Sequence, residues 1–249
     1  MFFELLIFFY HLNYFFLKNH LILNLNINLI YPILPYINFY SGESDINNLK
    51  YSNNFEFYNI LRDSSTNIHS KRQRKISSLI NINKKTIFKA SKINYETNIY
   101  NQFFNTEDKK IEDSYVSGNY FRTFPIFSIG AETPFKIKNI KNNLMYTPKL
   151  KLVVTPGISN SNKISNEDSS INAYTIENNS NLNRYSGTDK LDNSKRLDLS
   201  FNIKNDLVNS TLWTTYEFTN NSNYHYSQDN DKKLSDFLGN LSLNKQKYS

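Results

Sequence analysis

The chain has 249 residues, a formal net charge of +7 and no cysteine, so disulfides and thiolate metal sites are excluded. Its 18 Tyr and 19 Phe accompany many Asn, Ile, Lys and Ser, and its six Gly make a glycine-rich phosphate cradle improbable. The basic residues are scattered, and the one cluster, Lys71, Arg72, Arg74 and Lys75, sits at a turn before a strand, so no nucleic-acid partner is expected.

Codon bias accounts for much of the Asn and Lys excess but not for the order of residues along the chain. Residues 1–30 form the longest apolar tract, but Glu4, His11, Asn13, Lys18, Asn19 and His20 interrupt it too often for a transmembrane helix. The tract also lacks the basic start and small-residue cleavage site of a signal peptide. Two readings stay open: one or two Phe-rich, lipid-facing strands, or a displaced start with the true upstream sequence lost, the second being favoured.

From Tyr31 the pattern alternates. Ile33, Pro35, Ile37 and Phe39 share a face, a turn is expected over 41–45, and Leu49, Tyr51 and Asn53, then Phe55 and Phe57, return as a hairpin partner. Ile76, Ser78, Ile80 and Ile82 alternate toward an expected turn at Lys84 and Lys85, after which Ile93, Tyr95, Thr97 and Ile99 alternate again. Strands of this length match the roughly 9–11 residues of a membrane β-strand. The charge-rich segment 105–113 reads as a loop. Residues 115–135 read as a strand kinked at Pro125, with Phe121, Thr123, Phe127 and Ile129 on the same face as the proline. In 146–157, Leu150, Leu152 and Val154 alternate with Lys149, Lys151 and Val153, which turns the lysines toward water rather than lipid.

A polar, turn-rich loop is expected over 159–194. It carries Asn166-Glu167-Asp168, then Asn181-Leu182-Asn183-Arg184, Ser186-Gly187 and Thr188-Asp189-Lys190. At Arg196 it gives way to strict alternation, Leu197, Leu199, Phe201 and Ile203 against Asp198, Ser200, Asn202 and Lys204: a strand with one apolar and one polar face. Residues 210–218, with Trp213, and a segment within 232–244 give further strands. Left in solvent, so polar a loop would be disordered; its Tyr174, Ile176, Leu182, Tyr185 and Leu191 suit a segment folded against a polar wall. Arg184 is expected to pin it by pairing with a carboxylate such as Asp189 or Glu167, the alternative being that Arg184 and Arg196 line the path of an anionic ligand.

Catalytic and metal chemistry is weakly signalled. The four histidines, His11, His20, His69 and His225, have no ligand spacing. Glu167, Asp168, Asp189 and Asp192 lack the spacing of a calcium loop, and no nucleophile elbow occurs, so neither enzyme activity nor a cofactor is expected.

The order of these pieces resembles the middle of the LptD (OstA) family of outer-membrane lipopolysaccharide-assembly β-barrels. The resemblance runs from Tyr31-Pro32-Ile33-Leu34-Pro35, through the proline strands near 125–157 and the loop motifs, to Lys233-Leu234-Ser235-Asp236 and Gly239, roughly 31–244. It implies an all-β fold, an antiparallel transmembrane β-barrel, partial, of roughly eight to ten strands with one long polar loop. Residues 31–249 would be the partial barrel domain and 1–30 an atypical lead segment; the family's earlier barrel section and periplasmic jelly roll are not represented. The sequence stops without the aromatic that usually closes such barrels, so this chain alone is expected neither to close a barrel nor to transport. The resemblance further implies that Asn166, Glu167, Asp168, Asn183, Arg184, Gly187, Asp189 and Arg196 form a family-motif loop, structural or along the lipopolysaccharide path. The implied role is non-enzymatic insertion of lipopolysaccharide into the outer leaflet of a Gram-negative outer membrane. Its implied partners are lipopolysaccharide, outer-membrane lipid, periplasmic bridge proteins and an LptE-like plug lipoprotein. Some members carry cysteines; a disulfide-based maturation step has no place here. A porin-like passive channel would share the strands without the loop motifs, and a soluble adhesin-like β-protein would bury its apolar faces in a sandwich.

Overall fold

The computed structural model describes residues 33–46, 48–137, 144–218 and 233–243; the expectations for 1–30 and for His225 lie outside them. The strands are β1 (Ile33–Ile46), β2 (Leu49–Leu61), β3 (Arg72–Phe88), β4 (Ser91–Ile111), β5 (Ser114–Glu132), β6 (Phe135–Lys136), β7 (Met145–Val154), β8 (Lys195–Lys204), β9 (Val208–Glu217) and β10 (Leu238–Leu243), with one short helix, α1 (Ile176–Ser180). They form one antiparallel sheet in the order β1-β2-β3-β4-β5-β7-β8-β9-β10, with β6 attached to β7. Each long strand thus pairs with its neighbour in the chain, the simplest connectivity available. Among the described residues the order is open, with β1 and β10 at its ends. The all-β expectation is met.

Two compact units share this sheet: one of the described residues up to Ile82 with 99–123 and 162–165, the other of 83–98, 124–161 and the described residues from Asn166 on. In the first, the covered side carries Gln73, Lys75, Ser77, Gln102, Thr106 and Arg122 around Tyr100 and Phe104, while Phe103 and Phe121 are exposed. In the second, Ser128, Thr147, Arg196, Asp198, Thr215 and Glu217 are buried with Phe124, Ile126 and Trp213, while Phe127, Ile129, Leu150, Phe201, Ile203 and Leu212 are exposed. A sheet in water does the reverse, turning its apolar face to the core and its polar face outward. Both units therefore place ionic and amide groups inside and large apolar side chains outside.

The alternating faces agree with the sequence reading, but several element ends do not. β1 runs through the expected 41–45 turn, because Ser41 and Gly42 form a bulge. Tyr40 pairs with Asn54 and Glu43 with Ser52, leaving Asn53 opposite two residues. Gly42 has φ 74, and the Asn53 N–H donates to Ser41 Oγ at 2.9 Å. The chain turns later, beside Asn48 (φ 64), whose N–H donates to Asp45 Oδ1 at 3.1 Å. Lys84 and Lys85 lie inside β3, and the turn comes at Lys89, φ 54.

The expected loop over 105–113 is mostly strand, β4 continuing to Ile111. Its charges are cross-strand partners: Arg72 and Arg74 reach Glu107 at 3.2 and 3.3 Å, and Thr106 donates to Gln73 at 2.6 Å. β5 likewise runs through Pro125. Its ladder with β7 begins at Phe127, past the residue that has no N–H to give.

Candidate functional site

The connection from β7 to β8 is the longest among the described residues, and two aspartates hold it together. The Asp168 carboxylate accepts from the N–H groups of Thr188 and Asp189, at 3.1 and 2.8 Å, and from the Ser169 hydroxyl at 2.6 Å. Asp189 Oδ2 returns the arrangement, accepting from the N–H groups of Glu167 and Asp168 at 2.6 and 3.2 Å. The Asn-Glu-Asp and Thr-Asp-Lys motifs are therefore two halves of one clasp, each satisfying the other's backbone donors.

Gly187 belongs to the clasp by having no side chain. A Cβ there would stand 2.3 Å from Asp168 Oδ1 and 2.4 Å from its carbonyl oxygen. Asn166 closes its own turn on Ser169, accepting from the N–H at 3.1 Å and donating to the carbonyl at 2.7 Å. Asn183 accepts the Asp192 N–H at 3.0 Å and donates to the Gly187 carbonyl at 2.9 Å. Asn160 pairs both ways with the Leu191 backbone at 2.9 Å.

The loop is also tied to the sheet of its own unit. The α1 carbonyl of Ser180 accepts from Lys151 Nζ at 2.9 Å, and Lys151 pairs with Glu96 at 3.2 Å; Lys149 pairs with Glu132 at 2.9 Å. Both lysines thus lie on the polar face, as read, engaged with carboxylates. Leu182, Tyr185 and Leu191 are buried, while Tyr174 and Ile176 are half-buried, Tyr174 donating to the Asp236 carbonyl at 3.2 Å.

Beside the clasp lies a buried ion network. Arg184 donates through Nε and Nη2 to both oxygens of Asp192, and through Nη2 to Glu217 at 3.2 Å. Arg196 donates to Asp198 at 3.1 Å, to Asp192 at 3.2 Å and to the Asn181 carbonyl at 2.6 Å. Glu217 accepts from the Ser194 hydroxyl at 2.7 Å, and Asp198 from the Thr215 hydroxyl at 2.7 Å. Both arginine side chains and Asp192 have no exposed surface. Burial opposes the charge on Arg184, but Asp192 and Glu217 outweigh it and hold its pKa above the ordinary value.

The sequence reading names Asp189 or Glu167 as examples of the carboxylate that Arg184 meets; the carboxylates found against it are Asp192 and Glu217. Asp189 already accepts two backbone N–H groups, and a fully buried guanidinium needs carboxylates that are buried with it, which Asp192 and Glu217 supply. Of the eight motif residues, the structure gathers Asn166, Glu167, Asp168, Gly187 and Asp189 in the clasp, Asn183 beside it, and Arg184 and Arg196 in the ion network. The sequence reading missed Asp192, Asp198 and Glu217 as partners. Asp198 stands two residues after Arg196 on the polar face of β8, and Glu217 alternates with Trp213 and Thr215 on β9, the signal that would have found them. Among the described residues no group of three or more His, Asp or Glu is placed to hold a metal ion. The carboxylates spend their lone pairs on backbone N–H, hydroxyl and guanidinium donors, so this site holds a shape. No protein-family model matches the sequence, and no curated protein matches it.

Proposed function

We propose that this chain is part of an outer-membrane β-barrel that delivers lipopolysaccharide to the outer leaflet of a Gram-negative bacterium, as its LptD-like motif order implies. The observation that carries the membrane half of this reading is the polarity of the sheet: ionic and amide side chains covered, Phe, Leu and Ile exposed. β7, β8 and β9, at 10 residues each, have the length of a strand that crosses a bilayer.

The loop supports the other half. A passive pore needs an open, water-filled lumen, whereas here the motif residues build an ordered segment pinned to the polar face by buried arginines. In this reading the glycolipid arrives from periplasmic bridge proteins, its acyl chains leave sideways into the bilayer, and its sugars pass along the polar face. The protein performs no covalent chemistry and needs no cofactor. A plug lipoprotein is its further partner, and other segments complete the barrel.

Depletion of the protein in its own host tests the proposal. Expected are recovery of the protein with outer membranes, loss of surface lipopolysaccharide and a more permeable envelope. Outer-membrane recovery with unchanged surface lipopolysaccharide would favour the porin-like channel; recovery in the soluble fraction would favour the adhesin-like protein.

A further inference from the structure

One end of the second unit is a basic rim with apolar tips. The β3–β4 hairpin ends there in exposed Lys84, Lys85 and Lys89, with Ile87 and Phe88 exposed beside them at 75% and 65%. The Ser91 and Thr133 hydroxyls meet at 2.7 Å and hold the hairpin against the corner between β5 and β6. At that corner Glu132 is gripped by Lys149 at 2.9 Å and Lys92 at 3.3 Å. The rim continues along the sheet through Lys136, which pairs in register with Met145, and Lys204, which pairs with Met145 from the other side. It closes on the β8–β9 turn with Asp206 and exposed Leu207. Lysines thus far outnumber the carboxylates Glu132 and Asp206 that stand among them.

We infer that this rim docks on the anionic headgroups of a phospholipid surface, with the lysines at phosphate depth and Ile87 and Phe88 at the acyl boundary. The inference rests on the membrane reading above, which puts the ends of β3, β4 and β8 where bilayer meets water. Lysine stems can lie along apolar surface while the ammonium stays with phosphate, and aromatic side chains favour the same layer. Each lysine near an anionic membrane strengthens binding by about fivefold at moderate salt. Charge alone would fit a nucleic acid as well; the large aliphatic and aromatic tips set between the lysines fit a bilayer.

Flotation of the full chain with vesicles decides it. One set is phosphatidylcholine, the other a two-to-one mixture of phosphatidylcholine and phosphatidylglycerol. Wild type is expected to float with both and to prefer the anionic set, the preference fading as salt rises. The triple variant K84Q/K85Q/K89Q should lose roughly a hundredfold of that preference, about fivefold per lysine, and keep its binding to phosphatidylcholine. The pair K190Q/K195Q, which alters exposed lysines away from the rim, should lose little, and Ile87→Ser with Phe88→Ser should weaken binding to both sets. Equal anionic preference in wild type and triple variant, with binding to phosphatidylcholine intact, would overturn the rim and leave the membrane reading standing. Failure of wild type to float with either set would overturn both. Displacement of the anionic vesicles by an oligonucleotide of matched charge, at lower concentration, would overturn the lipid assignment.

Discussion

Gly187 and Asp168 show how closely the motif loop is fitted. An alanine Cβ at 187 would stand 2.3 Å from a carboxylate oxygen that already accepts backbone N–H groups. Gly187→Ala should therefore open the clasp at a cost of about 1–3 kcal/mol, the usual range for forced overpacking. Gly239→Ala, with nothing within 4 Å of the added carbon, should stay within about 0.5 kcal/mol of wild type. Denaturant titration of both variants checks this, and equal stability would mean that the clasp is not tight.

Arg184→Ala leaves Asp192 and Glu217 buried beside a missing cation, a loss of about 3–5 kcal/mol. Limited proteolysis between 160 and 192 should be fast for Arg184→Ala and unchanged for Lys190→Ala, whose side chain is exposed; equally slow cleavage in wild type and both variants would show that Arg184 pins nothing. The importance of Arg184 was legible in the sequence, but its partners were not. Asp189 is near in sequence, yet the backbone N–H groups of 167 and 168 both donate to its Oδ2; Glu217 is remote in sequence and reaches Arg184 because β9 pairs with β8.

β8 tests the two-faced strand directly. Leu199 lies on the side of exposed Phe201 and Ile203, and Ser200 on the side of buried Arg196 and Asp198. If the first side meets lipid, Leu199→Arg should cost about 2–4 kcal/mol near the bilayer midplane and Ser200→Arg much less, read as heat and denaturant resistance in lipid. Equal tolerance of the two would remove the lipid-facing assignment. Such faces were legible because alternation is set by the backbone itself. The strand ends were not legible. Asn48, Lys89 and Glu112 make their turns at positive φ without glycine, and the charges of β4 imitate a loop until their partners on β3 are known.

Alternation alone could not say which side of the sheet is covered. A water-soluble sandwich and a membrane barrel write the same period-two pattern, and 39% hydrophobic composition fits either. The covered side carries Arg196, Asp198, Thr215 and Glu217, which is the observation that supports the proposed lipid-facing exterior. Trp213 offers a probe, because it is the only tryptophan of the chain, is 2% exposed, and shares the β9 face of Thr215 and Glu217. Leu212, the next residue, is on the other face and 46% exposed. If the barrel reading holds, Trp213 fluorescence in vesicles of acyl-brominated phosphatidylcholine should be little quenched, since the strand would stand between the indole and lipid. The variant Leu212→Trp with Trp213→Phe moves the indole across the strand and should be strongly quenched. A sandwich in water would give no quenching in either protein, and an inverted barrel would quench Trp213 alone, so either result would reverse the assignment of faces.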